Sequence, residues 1–210
     1  MKIYLVRHGE TLWNKEEVFR GRKDIPLNET GRLQAEKVGA YFAGIPLGRI
    51  VSSPLERAAQ TAQAIGKTTG IPVETTEELT DINFGVWEGS SLRDVEERYP
   101  TQFDLWKRSP QNLQVSGGET LAMVRERVSE SLARLTSLGE GATALITHRV
   151  ICKMIVLSCL NIGDEHFWDL KYDPASVTLL EGEHGSFTLV FSNDTCHLKE
   201  LLSGTGYRDF

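Results

Sequence analysis

An arginine, a histidine and a glycine stand in a row as Arg7, His8 and Gly9 of the stretch LVRHGET, which continues the apolar opening KIYLV. The guanidinium of Arg7 is a planar fork of donors that matches a phosphate or a carboxylate. The imidazole of His8 can act near neutral pH as nucleophile, base or acid. Gly9 lets the backbone turn sharply and lets a ligand come close. An isolated Arg-His pair is more often only the polar end of a strand. Three other segments argue against that reading here. They carry Arg57 in SSPLERAAQTA, the carboxylates Asp81 and Glu88 in EELTDINFGVWEG, and His148 directly after the apolar run ATALIT.

Together these residue types fit phosphoryl transfer. Arg7 and Arg57 can clamp the non-bridging oxygens and neutralise charge that develops in the transition state. One histidine with a bare ring nitrogen can take the phosphoryl group, while the other donates to a phosphate oxygen. A carboxyl group, Asp81 or Glu88, must protonate the leaving oxygen and later deprotonate a water. The polar loop after the first strand adds Asn14 and Arg20 as ligand donors, and Arg22 reads as a solvated side chain.

These groups need elements to position them. KIYLV reads as a buried strand, RIVSS at 49–53 as a second, IPVETT at 71–76 as a third and ATALIT at 142–147 as a central one. A helix over RLQAEKVGAYFAG turns Leu33, Val38, Tyr41 and Phe42 inward. A second over SPLERAAQTAQAIG starts with Ser53 as N-cap, Pro54 in the first turn and Glu56 completing a capping box. A long helix carries Leu121, Val124, Val128, Leu132 and Leu135 and stops at Gly139, and VICKMIVLSCL forms another. Two strands around the turn from Gly182 to Gly185 close the pattern. The fold class is α/β, a mostly parallel sheet with helices on both faces. Residues 1–210 read as one domain, with a short helical cap inserted at about 90–117. His8, Arg57 and His148 each follow a strand. If those strands are neighbours, all three meet beyond the carboxyl ends, where such sheets bind ligands.

Composition narrows the partners. The chain has 210 residues, 40% of them hydrophobic, and a formal net charge of -6. That charge disfavours nucleic acid and anionic membranes, so an anionic substrate needs local cations. Cys152, Cys159 and Cys196 make no disulfide framework. The opening is too short and polar for a signal peptide, and no apolar run approaches the roughly 20 residues that span a bilayer. A cytoplasmic location is expected. His8, His148, His166, His184 and His197 show no ligand spacing and no Cys-x-x-Cys occurs, so neither metal nor other cofactor is expected.

LVRHGET, DIPLNETGRLQA, SSPLERAAQTA, NFGVWEG and the Thr147-His148 pair, in that order, resemble the histidine phosphatase superfamily, with its phosphoglycerate-mutase-like fold. The resemblance implies that His8 is the phosphorylated nucleophile and that Arg7, Arg57, His148 and Asn14 bind the phosphoryl group. Asp81 stands where the family usually has Glu and is taken as the general acid and base, with Glu88 in reserve. Arg20, before Gly21, stands where relatives often have Gln, and is expected to hold a second acidic group on the substrate. Arg149, where many relatives have a small residue, reads as a surface charge at a helix start.

The segments FDLWKRSPQNLQVSGGETL and NDTCHL look most like the metal-independent phosphoserine phosphatases and their broad-specificity relatives. By that likeness the substrate is a small phosphorylated metabolite, L-phosphoserine or another phosphorylated acid. His197 then either reaches its polar head or lies at the surface or a subunit interface. Phe84 occupies a position where that subgroup would be expected to show a more polar contact. Phosphoglycerate mutation is the first alternative, although the longer insertion of mutases is not apparent after the acidic loop. α-Ribazole phosphate is another candidate substrate. A non-catalytic phospho-ligand binder would need no nucleophile. Relatives are often dimers, which leaves a homodimer open.

Overall fold

Two continuous apolar runs make the middle of the sheet, because only a strand covered on both faces can bury every side chain. In the first, Ile3 and Leu5 belong to one apolar cluster and Tyr4 and Val6 to the other, all buried. The computed structural model describes residues 1–137, 141–183, 185–199 and 201. In chain order the elements are β1 (Lys2–Arg7), α1 (Leu12–Lys15), α2 (Glu29–Phe42), β2 (Leu47–Ser52), α3 (Glu56–Thr69) and β3 (Val73–Thr75). They continue with α4 (Leu92–Arg98), α5 (Pro100–Arg108), α6 (Leu121–Ser137), β4 (Ala142–Thr147), α7 (Arg149–Cys159), β5 (Val177–Glu183) and β6 (Ser186–Asp194).

The sheet order is β3-β2-β4-β1-β5-β6. β1 to β4 run parallel, and β5 and β6 are antiparallel additions. The neighbour relation that the site needs is therefore met: β4 lies between β1 and β2. Register sharpens it, since Arg7 lies opposite Thr147 and Ser52 opposite Ile146. His8, His148 and Ser53 leave three adjacent strands at one level, with strands spaced about 4.8 Å apart.

Helices cover both faces. Val38 and Phe42 of α2 and Ala58, Ala62 and Ile65 of α3 pack on Tyr4, Val6, Ile50 and Ile146. On the other face Val124 and Val128 of α6 and Ile151 and Ile155 of α7 pack with Ile3, Leu5 and Leu145. Val95, Phe103, Trp106 and Leu113, from the segment expected to form a cap, are buried in this second cluster. The segment shares its apolar interior with the sheet, as its short length requires. No helix among the described residues is long and apolar enough to cross a membrane.

Several expectations are corrected. Leu33 is 45% exposed. The buried face of α2 runs instead through Gly31, Gln34, Ala35, Val38, Gly39 and Phe42. That helix starts at Glu29, where the Asn28 side chain accepts from the Gly31 N–H. The long first loop contains α1 and bridges Thr11 to Leu27 and Val18 to Ser91. β3 is shorter than expected. α3 begins at Glu56 without a Ser53 cap or capping box. Its free Glu56 N–H donates instead to Asp24 Oδ1, at 2.7 Å, from the first loop. The expected helix stop at Gly139, the Leu135 side chain and His184 lie outside the described residues.

Candidate active site

His8 enters the site with its main chain fixed on both sides. Its N–H donates to the Thr147 carbonyl of the neighbouring strand end at 2.9 Å, and its own carbonyl accepts from Ala175 N at 3.1 Å. The Arg7 N–H donates to Ser176 O, and the Arg7 guanidinium donates to the Tyr172 carbonyl. Residues 172–176 therefore hold the Arg7-His8 pair from the β5 side. Gly9 meets a tight approach, but of backbone rather than ligand. A Cβ there would sit 2.6 Å from the Gly31 carbonyl oxygen.

The imidazole of His8 lies 2.6 Å through Nδ1 from the Gly9 carbonyl oxygen. A carbonyl only accepts, so Nδ1 carries the proton and Nε2 keeps its lone pair. His148 stands beside it, ring centroids 5.1 Å apart. Arg57 Nε donates to His148 Nδ1 at 3.2 Å. That nitrogen is therefore unprotonated, and Nε2–H donates to Ser53 Oγ at 2.8 Å. The Ser53 hydroxyl expected to cap α3 is thus turned to His148. Arg57 is fully buried, and its Nη atoms donate to the carbonyls of Lys23 and Gly21 and to Asp81 Oδ2. Asp81 lies 3.3 Å from Arg57 and 3.8 Å from His148 Nδ1, and its other oxygen accepts from Ile82 N. The shorter aspartate side chain still reaches the centre of the cluster.

Burial, followed by the charges of Arg57, Arg7 and Arg20, holds the His8 pKa well below that of a free imidazole. Burial, Arg57 and His8 do the same for His148. Both rings stay neutral well into the acid range. In the unfolded chain each would titrate near about 6.5. Below that pH the unfolded state binds protons that the folded site refuses, so stability falls as pH drops, by at most about 1.4 kcal/mol per pH unit for each ring. Urea unfolding at about pH 7.5 and again at about pH 5.5 should show a lower midpoint in acid. A midpoint that held or rose would contradict neutral burial of the two rings.

Above this cluster opens a cleft of about 700 Å³, including its mouth, lined by Arg7, Asn14, Arg20, Gly21 and Asp81 on its polar side. Trp13, Phe19, Phe84 and Leu92 form its apolar wall, and Arg149 and Asp173 also border it. His8, Arg57 and His148 do not line the cleft. They are buried behind Arg7 and Asp81 in the resting structure. No group of three or more His, Cys, Asp or Glu side chains among the described residues is placed to hold a metal ion.

Residues 3–195 match the family model of the histidine phosphatase superfamily (branch 1). The chain belongs to that superfamily. It is 31% identical over 202 residues to phosphoserine phosphatase 1 of Hydrogenobacter thermophilus, with 96% of each chain covered. It is 31% identical over 167 residues to a probable phosphoglycerate mutase, GpmB, of Salmonella choleraesuis, covering 77% of this chain and 76% of that one. Among solved structures, Bacillus stearothermophilus YhfR superposes with a TM-score of 0.89 at 31% identity, covering 94% of this chain and 99% of that one. The protein is a phosphatase of this superfamily.

Within this histidine phosphatase, not every expected residue reaches the cleft. Glu88 does not line it. Its Oε1 accepts from Arg22 N at 2.8 Å and Phe84 N at 3.2 Å, tying two loops together. Gly21, at φ 52°, is required by that tie, since a Cβ would lie 2.0 Å from Glu88 Oε1. Arg22 is not merely solvated, because it pairs with Glu119 at 3.1 Å. His197 stands away from the cleft, Nε2 at 3.0 Å from the Ala175 carbonyl and its ring 5.2 Å from Tyr41. It therefore braces the segment bonded to the His8 backbone. Arg149, expected at the surface, borders the cleft and lies 5.7 Å from the Trp168 ring. Asn14 Oδ1 accepts from the Thr11 N–H and hydroxyl, which closes α1. The sequence reading missed Ser53 as a partner of His148, the Tyr172 carbonyl and Asp24. The only signal was Ser53 itself, whose type suits a cap equally well.

Proposed function

We propose that this phosphatase is a metal-independent phosphomonoester hydrolase acting through a phosphohistidine at His8. The observation that carries this reading is the His8 tautomer. Its proton is committed to the Gly9 carbonyl, so Nε2 has a lone pair for phosphorus. Attack by Nε2 forms the N–P bond as the P–O bond to the leaving group breaks. Arg7 and Arg57 stabilise the charge on the non-bridging oxygens. Asp81 gives its proton to the leaving oxygen. Water then attacks phosphorus, the N–P bond breaks, Asp81 recovers a proton from that water, and phosphate departs.

The resting site must rearrange for this. Arg57 Nη2 spends its donors on Asp81 and the Gly21 carbonyl. An arriving phosphoryl oxygen competes with the Asp81 carboxylate for that guanidinium, which releases Asp81 to be protonated. His148 keeps Arg57 oriented through Nδ1 and supplies its Nε2–H to the phosphoryl group by exchanging away from Ser53.

The substrate is a small phosphorylated metabolite, with L-phosphoserine or another phosphorylated acid as the first choice. The likeness to a named phosphoserine phosphatase supports it. Phe84 in the cleft wall supports a broader range, which keeps α-ribazole phosphate in the test. Hydrolysis is favoured over mutation because the acidic loop runs straight into α4, capped by Ser91, with no long insertion between them. Three free thiols suit a reducing compartment, and we place the enzyme in the cytoplasm.

The test is a turnover screen over L-phosphoserine, 3-phosphoglycerate, α-ribazole phosphate and p-nitrophenyl phosphate, run with and without EDTA. Phosphate release should be unchanged by EDTA, since nucleophile and charge stabilisers are all side chains. A strict demand for added metal, or transfer of phosphate between hydroxyls without release, would reverse the proposal.

A further inference from the structure

Arg20, a cation that lines the cleft, takes no part in the steps above. Arg20 is half-buried, and its Nε is removed from solvent without a hydrogen-bond partner. A buried guanidinium N–H is costly to desolvate without an acceptor. The nearby acceptors are already engaged. Arg57 takes the carbonyls of Gly21 and Lys23 and one Asp81 oxygen, while Arg7 takes the Tyr172 carbonyl. The turn that presents Arg20 is fixed by its own carbonyl, which accepts from Lys23 N at 3.0 Å, and by Gly21 in the left-handed region.

Its surroundings are cationic. Burial first, then the charges of Arg7 and Arg57, hold the Arg20 pKa well below its ordinary value, with Asp81 opposing them. Arg7, Arg20 and Arg57 set against the Asp81 carboxylate leave an excess of two positive charges, which is the charge of a phosphate dianion reversed. Position decides which anion it is. Arg20 lines the cleft beside Arg7 and Asp81, and the carbonyl of the next residue, Gly21, accepts from the same Arg57 Nη2 that pairs with Asp81. The turn that carries Arg20 is thus bonded directly to the arginine that grips phosphorus. Arg149, at the start of α7, borders the same cleft.

Resting on the hydrolase reading, we propose that Arg20 is a third arginine on the transferred phosphoryl group itself, rather than the holder of a second acid on the substrate. The three forks together select a dianionic phosphomonoester and retain inorganic phosphate as product inhibitor.

The test compares wild type with Arg20→Gln and Arg20→Lys. A charge-assisted contact to the phosphoryl group predicts a fall in kcat/KM of about 10- to 100-fold in Arg20→Gln. The fall should be equal for p-nitrophenyl phosphate, which has no second acid, and for L-phosphoserine and 3-phosphoglycerate. Inhibition by inorganic phosphate should weaken by a similar factor, and Arg20→Lys should fall between. Loss confined to the carboxylated substrates, with p-nitrophenyl phosphate turnover and phosphate inhibition unchanged, would overturn the proposal. The rise in Tm on adding inorganic phosphate is read beside the kinetics. It should be smaller in Arg20→Gln than in wild type, and an equal rise counts against the assignment. That readout still decides the role of Arg20 if wild type hydrolyses none of the esters, an outcome that would fail the hydrolase reading separately.

Discussion

Quenching the enzyme in base during turnover of a phosphomonoester should trap phosphate on His8, and His8→Ala should lower kcat by about 10⁴-fold or more. The ring is held by the Gly9 carbonyl with Nε2 bare, and the main chain is fixed to β4 and to Ala175, so the nucleophile keeps its tautomer while Arg57 and Asp81 part in front of it. Burial, reinforced by the neighbouring arginines, keeps it neutral, so it should remain competent in mild acid. The same charges compensate the phosphoryl group once it arrives. Mass spectrometry of the quenched protein locates the label. Label on His148, or a His8→Ala variant retaining most of its turnover, would dismantle the scheme.

The second large effect is expected at Asp81. Asp81→Asn keeps an oxygen for Arg57 but has no proton to exchange. For esters with poor leaving groups, kcat/KM should fall about 10²- to 10⁴-fold. For p-nitrophenyl phosphate it should fall far less, because that leaving group needs little protonation. The contrast belongs in kcat/KM, which reports events up to formation of the phosphoenzyme. The second step still needs a base, so Asp81→Asn should show a burst of p-nitrophenol followed by a slow steady state. An equal loss on both ester types would shift attention to Glu88, with Glu88→Gln as the next variant. The structure argues against Glu88, whose carboxylate already holds two backbone N–H groups of separate loops.

The arrangement of the strands was legible because β1 and β4 are apolar but for Arg7 and two threonines among their buried residues, and that marks a strand covered on both faces. Once they lie side by side, the residue after each strand has nowhere else to go, so His8 and His148 meet. Arg57 was legible for a similar reason, one turn beyond β2. What failed depended on contacts that no local pattern encodes. Leu33 looked inward by hydropathy, yet α2 presents glycines and Gln34. Gly39 allows close approach to α3, where a Cβ would lie 2.7 Å from the Ala64 carbonyl, and Gln34 accepts from Glu10 N. Ser53 suited an N-cap by type, and only the fold brings the His148 ring to it. The choice between Asp81 and Glu88 turned on how the loop 81–88 folds back, which spacing does not report. Arg149, expected at the surface, borders the cleft, and His197, whose role was left open between substrate and surface, bonds to the Ala175 carbonyl.

Arg57 has a second duty with a practical consequence. Its Nη atoms fasten to the main chain of Gly21 and Lys23, in the same turn that carries Arg20. The gripping side chain and the recognition loop are therefore geared to one another. Rebuilding residues 20–24 to admit a new ester should drag on turnover even when every group on phosphorus is kept. Directed evolution of substrate range in this enzyme should progress faster at the Phe84 and Leu92 side chains, which form the apolar wall of the cleft and do not grip the turn that Arg57 holds.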